Sequence, residues 1–549
     1  MYCNYQISLN KNSQENHDSH LVHSWNKLLT GLIVIIFFLS NQVSAQQQKA
    51  TNPVIFADAP DMSMIRVNDT YYMSSTTMHM SPGVPIMKSK DLVNWQIINY
   101  VYDTLADVEE LNLENGKSTY GRGSWASCLR YHNGVYYVST FSQTTNTTYI
   151  YTTKNIETGP WRRASFKPSY HDHTIFFDDD GRVYLIYGAG RLKLLELTAD
   201  TSAVKSNTEQ IIIENASAPA GSDIGLQSEG SQLFKIDGKY YLFNIVWPKG
   251  GMRTVIIHRA DKITGPYEGR IALQDRGVAQ GGLIDTPDKK WFAYLFRDYG
   301  SVGRIPYLVP VTWKEGWPVL GNDAKIPDTL DLPANTGLQP GIVASDEFNR
   351  KKSDPVLPLV WQWNHNPDHR NWSVSERKGF LRLRTGRIDT SFLSARNTLT
   401  QRSFGPESSG IISLDISNMK NGDMAGLALL QKKFGFVAVN YQNGVKSIVM
   451  VSAESGVPIE KQRLPLAQNK VYLRADCNFR DLKDEANFYY SLDGESWKPI
   501  GVPLKMSYTL PHFMGYRFGL FNYATKSVGG FVDFDFFRLE NKILKQDLK

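Results

Sequence analysis

Cysteine is nearly absent from this chain of 549 residues: Cys3, Cys128 and Cys477 are all it has, and none stands at a metal-ligand spacing. That excludes a disulfide scaffold and a zinc module, and the last two, far apart in sequence, are expected to be unpaired. A block of basic residues is missing too. Lys+Arg of 60 against Asp+Glu of 54 leaves only +6, which argues against a nucleic-acid partner. The apolar run from Leu28 to Ser40 has 13 residues, short of the ~20 that span a bilayer. Lys27 precedes it, and the small-x-small site Val43-Ser44-Ala45 and a Gln run follow. It reads as a signal peptide over residues 1–45, predicting an exported, periplasmic chain with no stable membrane insertion after cleavage.

What is there is globular: 42% hydrophobic and 21% charged, with a length that implies two to four domains at ~150 residues each. The half after Gln46 repeats itself. Five segments join an apolar strand, a tight Asp/Asn/Gly-rich turn and an aromatic-bearing strand: residues 64–73, 129–138, 176–185, 233–242 and 283–292. With Asp69, Gly134, Gly181, Gly238 and Lys289 as turn markers, the spacings are 65, 47, 57 and 51. Asn-Gly and Asp-Gly between strand formers signal hairpins. Five hairpins at that spacing predict an all-β fold with a five-bladed β-propeller over 46–320, each blade a small antiparallel sheet.

The register places chemistry. Eight or nine residues before each marker stand Asp61, Trp125, Asp172, Glu229 and Gln280. If the blades are radially equivalent, these converge at one end of the central channel. Convergent carboxylates repel and shift one another's pKa values, an arrangement that goes with function. Asp178, Asp179 and Asp180 read instead as turn chemistry. His171 and His173 flank Asp172, and on an extended strand their side chains would leave on the opposite face; they read as blade packing.

Several motifs in order carry a family resemblance. Asn52-Pro53-Val54 leads to Ala59-Pro60-Asp61-Met62-Ser63. Pro82-Gly83-Val84-Pro85-Ile86 runs on to Ser89-Lys90-Asp91-Leu92-Val93-Asn94-Trp95. Ser228-Glu229-Gly230, Gly303-Arg304 and Gly316-Trp317-Pro318 follow. Together they resemble glycoside hydrolase family 43 across most of residues 50–540. The resemblance implies a five-bladed propeller and inverting hydrolysis of terminal pentose linkages. It implies Asp61 as general base, Glu229 as general acid and Asp172 as the residue that tunes and orients the acid. By the same likeness Arg304 contacts the −1 sugar and Trp125 lines the pocket. Met78 and Gln280 join them as substrate-binding candidates. Met78, His79 and Met80 occupy a pocket-edge stretch that is aromatic in xylosidases, and Gln280 stands where many relatives hold a central cation with histidine. No cofactor is required by this chemistry.

Inversion needs one acid to protonate the leaving oxygen and one carboxylate to activate water, roughly 6.5–9.5 Å apart. Facing blades supply such a gap. Beyond a Pro- and Gly-bearing connector, 321–344, alternating runs such as Phe380 to Arg384 and Phe531 to Phe536 predict a β-sandwich over 345–549. It resembles the concanavalin-like domain of family members, including Trp361-Gln362-Trp363-Asn364-His365-Asn366-Pro367; its tryptophans would stack on sugars or pack the domain interface. Asp535 is a candidate ligand of a structural calcium, as in similar sandwiches.

The expected function is an exo-acting inverting hydrolase releasing terminal α-L-arabinofuranose from hemicellulose oligosaccharides such as arabinoxylan or xyloglucan side chains. The rival readings are a β-xylosidase and a degenerate carbohydrate-binding protein. A retaining fructan hydrolase shares the architecture, but its nucleophile motif is absent.

Overall fold

The computed structural model describes residues 49–335, 339, 341–510 and 512–544. The signal-peptide reading of 1–45 lies outside them. Among the described residues no helix is long and apolar enough to cross a membrane, and the one α-helical turn is Glu109–Asn112.

The five repeats are five four-stranded antiparallel blades, built from strands consecutive in sequence except that blade 1 skips Met80–Ser81. Their innermost strands are Ser63–Val67, Cys128–His132, Thr174–Phe177, Ile224–Ile236 and Val278–Asp285. The turn markers act as read. Asn133 and Gly134 hold φ of 48° and 79°, and Asp237 and Gly238 hold 49° and 77°. Two consecutive left-handed residues give the hairpin turn whose twist matches its strands. The third-blade Asp turn does more than turn, because buried Asp178 accepts hydrogen bonds from Tyr240 at 2.6 Å and Lys235 at 2.7 Å.

The ring closes through the start of the chain. Val54 N–H donates to Pro306 and Ala59 N–H to Arg304, so the segment before blade 1 lies along blade 5. Lys49–Thr51 pairs with Thr329–Pro333, which puts a strand inside the segment read as a connector.

The second half is two packed antiparallel sheets, the concanavalin-like sandwich expected. Its core side chains, such as Leu427, Val437, Leu473 and Phe518, are fully buried, each contributing ~1.5–3 kcal/mol. One sheet does not end within the sandwich. Its edge is Met80–Ser81, which leaves the propeller after blade 1's second strand and pairs with Gln362–Asn364. Gln362 Nε2 donates to Thr77 and to Pro82, at 3.1 and 2.7 Å, and Ser81 donates to Asn366 at 3.0 Å. Trp361 and Trp363 are 2% and 4% exposed. The Trp361–Pro367 stretch is therefore a docking seam, and those two tryptophans are core rather than sugar platforms.

Candidate active site

Four of the five inner strands share a local device. Asp61, Asp172, Gly230 and Gln280 have φ of 51°, 46°, 68° and 53°, a left-handed backbone at or just before the start of the strand or within it. For residues other than glycine this costs of order 1–3 kcal/mol and persists where the surroundings force it. Pairing is also irregular on both sides of Glu229, a bulge of the kind that re-aims a side chain. The result is that Asp61, Asp172 and Glu229 share one buried site and act on one another electrostatically.

Asp61 is held by blade 5. Arg304 Nη1 donates to its Oδ1 at 2.8 Å, with both side chains below one-tenth exposed. Burial raises the Asp61 pKa, while Arg304 and then Arg253 oppose that rise. The guanidinium is itself gripped: its Nε is 3.3 Å from Asp298 Oδ1, and Arg253 reaches Asp298 Oδ2 at 2.6 Å. Arg253, Asp298, Arg304 and Asp61 thus form a chain of alternating charge. Arg304 N–H also donates to Asp58 at 2.8 Å, and Gly303 has to be glycine because a Cβ there would stand 2.2 Å from that carboxylate.

Asp172 is pushed up to about 7, chiefly by burial, with His171 opposing and Glu229 and Asp61 adding to the rise. His171 is the side chain that strand alternation mislaid. Because Asp172 is left-handed rather than extended, the every-other-residue rule fails there. His171 Nε2 lies 2.9 Å from Glu229 Oε2 and 4.0 Å from Asp172 Oδ2. His173 is blade packing as read, its Nδ1 on the Tyr170 carbonyl at 2.9 Å. Gln280 lies over Gly230, where a Cβ would meet its amide at 2.9 Å. Its place supplies an amide where a central cation would want an imidazole.

Trp125 forms one wall, its ring 4.9 Å from Phe513, 5.9 Å from Phe141 and 6.3 Å from His171. Phe513 comes from the sandwich. So does Tyr508, a buried phenol without a hydrogen-bond partner that acts on Arg304, Asp298 and Asp61. Tyr516 N–H donates to Ser301 at 2.9 Å and Gly515 N–H to Asp58 at 3.2 Å, tying this loop to blade 5. Nothing in the repeat register pointed to these residues, since they arrive from outside it.

Met78 is placed differently from its expected role. It is 1% exposed, beside Phe392 and Met514, with Trp125 packed against that cluster. His79 and Met80 are equally buried. The stretch read as pocket edge lies behind the wall, because its backbone is committed to the sandwich sheet. Asp535 accepts from Lys470 at 3.1 Å and Ser413 at 3.4 Å. Cys128 and Cys477 are free and buried. Among the described residues, the His/Cys/Asp/Glu group compact enough for an ion is His171, Asp172 and Glu229, with ligand atoms within 4.8 Å. Within it the imidazole stands on the glutamate at 2.9 Å.

Residues 50–318 match the family model of Glycosyl hydrolases family 43, and residues 345–540 match the Beta xylosidase C-terminal Concanavalin A-like domain. A putative beta-xylosidase of Xylanibacter ruminicola is 31% identical over 470 residues, covering 81% of this chain and 82% of that protein. A non-reducing end alpha-L-arabinofuranosidase of Bacteroides ovatus is 28% identical over 379 residues, covering 64% of this chain and 68% of its own. Among solved structures, a bifunctional GH43-CE protein of Bacteroides eggerthii is 66% identical with a TM-score of 0.90. That alignment takes in 91% of this chain, which spans 64% of that longer protein.

Proposed function

The chain belongs to glycosyl hydrolase family 43, and on that premise we propose that it is an exo-acting, inverting glycosidase removing single terminal pentoses from hemicellulose oligosaccharides. The observation that carries this is the meeting of Asp61, Asp172 and Glu229, from three separate blades, with Arg304 on Asp61.

In this reading Asp61 is the general base. Arg304 holds the carboxylate in one orientation, and burial makes it a stronger base than an exposed aspartate. It takes a proton from water as the water oxygen bonds to the anomeric carbon. Glu229, 19% exposed, gives its proton to the leaving oxygen as the glycosidic bond breaks. Asp172 stands close enough to act on Glu229 without touching the reacting atoms. Trp125 and Phe513 exclude water and offer apolar faces to the sugar ring.

β-D-Xylose is the favoured terminal sugar. The arabinofuranose expectation leaned on Met78 to Met80, and these are buried against the sandwich; the relative with the broad two-domain alignment is named a putative β-xylosidase. α-L-Arabinofuranose is the second reading, favoured by the likeness to the Bacteroides ovatus enzyme. Paired nitrophenyl β-D-xylopyranoside and α-L-arabinofuranoside assays test both: a higher kcat/KM for the xylopyranoside is expected, and the reverse ratio selects the second. Turnover of neither would sink the enzyme reading and leave a carbohydrate-binding protein. Export to the periplasm belongs to the same proposal and rests on the sequence of residues 1–45.

A further inference from the structure

We propose that His171 is a positioning residue that stores the acid's proton: His171 and Glu229 hold one proton between them, which keeps the general acid loaded to higher pH than a lone carboxyl would. This rests on the reading of Glu229 as the acid.

The geometry is specific. His171 precedes the left-handed Asp172, and its carbonyl accepts from Gly188 N–H at 3.2 Å, which fixes the backbone. Its ring is flanked by Phe141, edge-on at 5.5 Å, and by Trp125. That leaves Nε2 on Glu229 Oε2 at 2.9 Å, while the side chain stays 34% exposed at the pocket. The charged groups facing it are Asp172 on its own turn, Glu229 from blade 4 and Asp61 from blade 1. Blade 2 contributes the aromatic rings of Trp125 and Phe141. Arg304 lies farther on, acting on Asp172 and Asp61. Those anions raise the imidazole to about 9, Asp172 contributing most.

The proton account closes. In each turnover Glu229 ends as a carboxylate and Asp61 ends protonated. The spent pair, a carboxylate beside a neutral imidazole, takes one proton from solvent at the exposed edge of His171, the Nε2 proton passes to Glu229, and Asp61 releases one proton to solvent. One water is consumed and no net proton. Across the 2.9 Å contact the proton can sit on either group. The working form, neutral imidazole with protonated Glu229, is a tautomer of the ion pair. It therefore disappears only when the pair loses its last proton.

The test is the pH profile of kcat/KM from pH 5 to 10 for the parent enzyme, His171→Asn and His171→Gln. Both amides can keep a polar contact to Glu229, and neither titrates. With an alkyl glycoside, whose leaving group needs protonation, the alkaline limb is expected to move at least ~1 pH unit lower in both variants. With a dinitrophenyl glycoside, which needs little acid, the limb stays where it was. A uniform fall in kcat with no movement of the limb would overturn the proposal and leave His171 a packing residue. If neither variant folds, an imidazole NMR titration of the parent decides. His171 losing its proton well above the ordinary histidine range, in step with the alkaline limb, supports the shared proton; an ordinary value refutes it. A failure of the underlying reading looks different: Glu229→Ala would then retain turnover of the alkyl glycoside whatever His171 does.

Discussion

The propeller and the sandwich contribute to one pocket by opposite means. In the blades, chemistry sits at or just before the inner strands, on or next to a left-handed residue, so Asp61, Asp172 and Glu229 share a register. In the sandwich the sheets supply only core, and chemistry arrives on the loop that carries Tyr508 and Phe513. A repeated scaffold fixes where a side chain points; a loop adds a surface that no repeat dictates. The first is robust to changes elsewhere, whereas the second depends on a few tethers to blade 5.

The largest effects are expected inside the propeller. With Asp61 as the proposed base, Asp61→Ala should lower kcat/KM ~10²–10⁴-fold for every leaving group. Glu229→Ala should fall as far with poor leaving groups and much less with an acidic phenol. A series of phenols of graded pKa checks this, and a steeper leaving-group dependence for the Asp61 variant would mean the roles are exchanged. Proton NMR of the first-formed sugar should show the inverted anomer.

The loop comes next. A Cβ at Gly515 would stand 2.0 Å from the Val302 carbonyl oxygen, so Gly515→Ala must push the loop away from blade 5. A displacement of about 1 Å costs on the order of 10²-fold in a positioned site, and kcat/KM should drop accordingly while the carboxylates stay in place. An unchanged kcat/KM in a folded variant would mean the sandwich loop is not part of the working pocket.

A third test concerns the seam between the two regions. His79, His365 and His512 cluster there, with ring centroids 4.7 Å apart between the first two and 5.3 Å between His79 and His512. Tyr120 is stacked among them, and all three histidines are fully buried. Burial depresses each imidazole, His512 to about 3, with Arg517, Arg387 and Lys432 adding to the effect. The folded state therefore binds fewer protons than the unfolded chain below the ordinary histidine range. Stability is fully present above ~6.5 and is lost as pH falls from there toward the folded values, at up to about 1.4 kcal/mol per unit for each histidine. Tm measured from pH 7 to 4 should fall steeply, and less steeply in His512→Gln. Smallest of all, Asp535→Ala removes a partly exposed pair with Lys470 and should cost no more than about 1 kcal/mol by denaturant unfolding.

Much of this was legible because propeller blades repeat. Five turn markers sufficed to count the blades and to align Asp61, Trp125, Asp172, Glu229 and Gln280. Where the reading failed, the cause was a local departure from regular backbone or a contact between distant segments. His171 was assigned to packing by an alternation rule that the left-handed Asp172 suspends. Met78 was assigned to the pocket although its neighbours pair with residues some 280 positions later. Phe513 carried no periodic signal at all.

The edge strand Met80–Ser81 also sets an order of assembly. Blade 1 precedes the sandwich in the chain, yet the sheet that receives its edge strand is completed by Gln362–Asn364, Leu399–Arg402 and Arg517–Ala524. Until those residues are made, Met78, His79 and Met80 lack the sandwich side of their cover. A nascent propeller must wait with this edge strand unpaired, which makes the seam a long-range, slow-closing contact and an aggregation-exposed interval. The pocket wall formed by Trp125 and Phe513 closes only when the sandwich docks, so the complete pocket arrives with the sandwich rather than with the domain that holds the carboxylates.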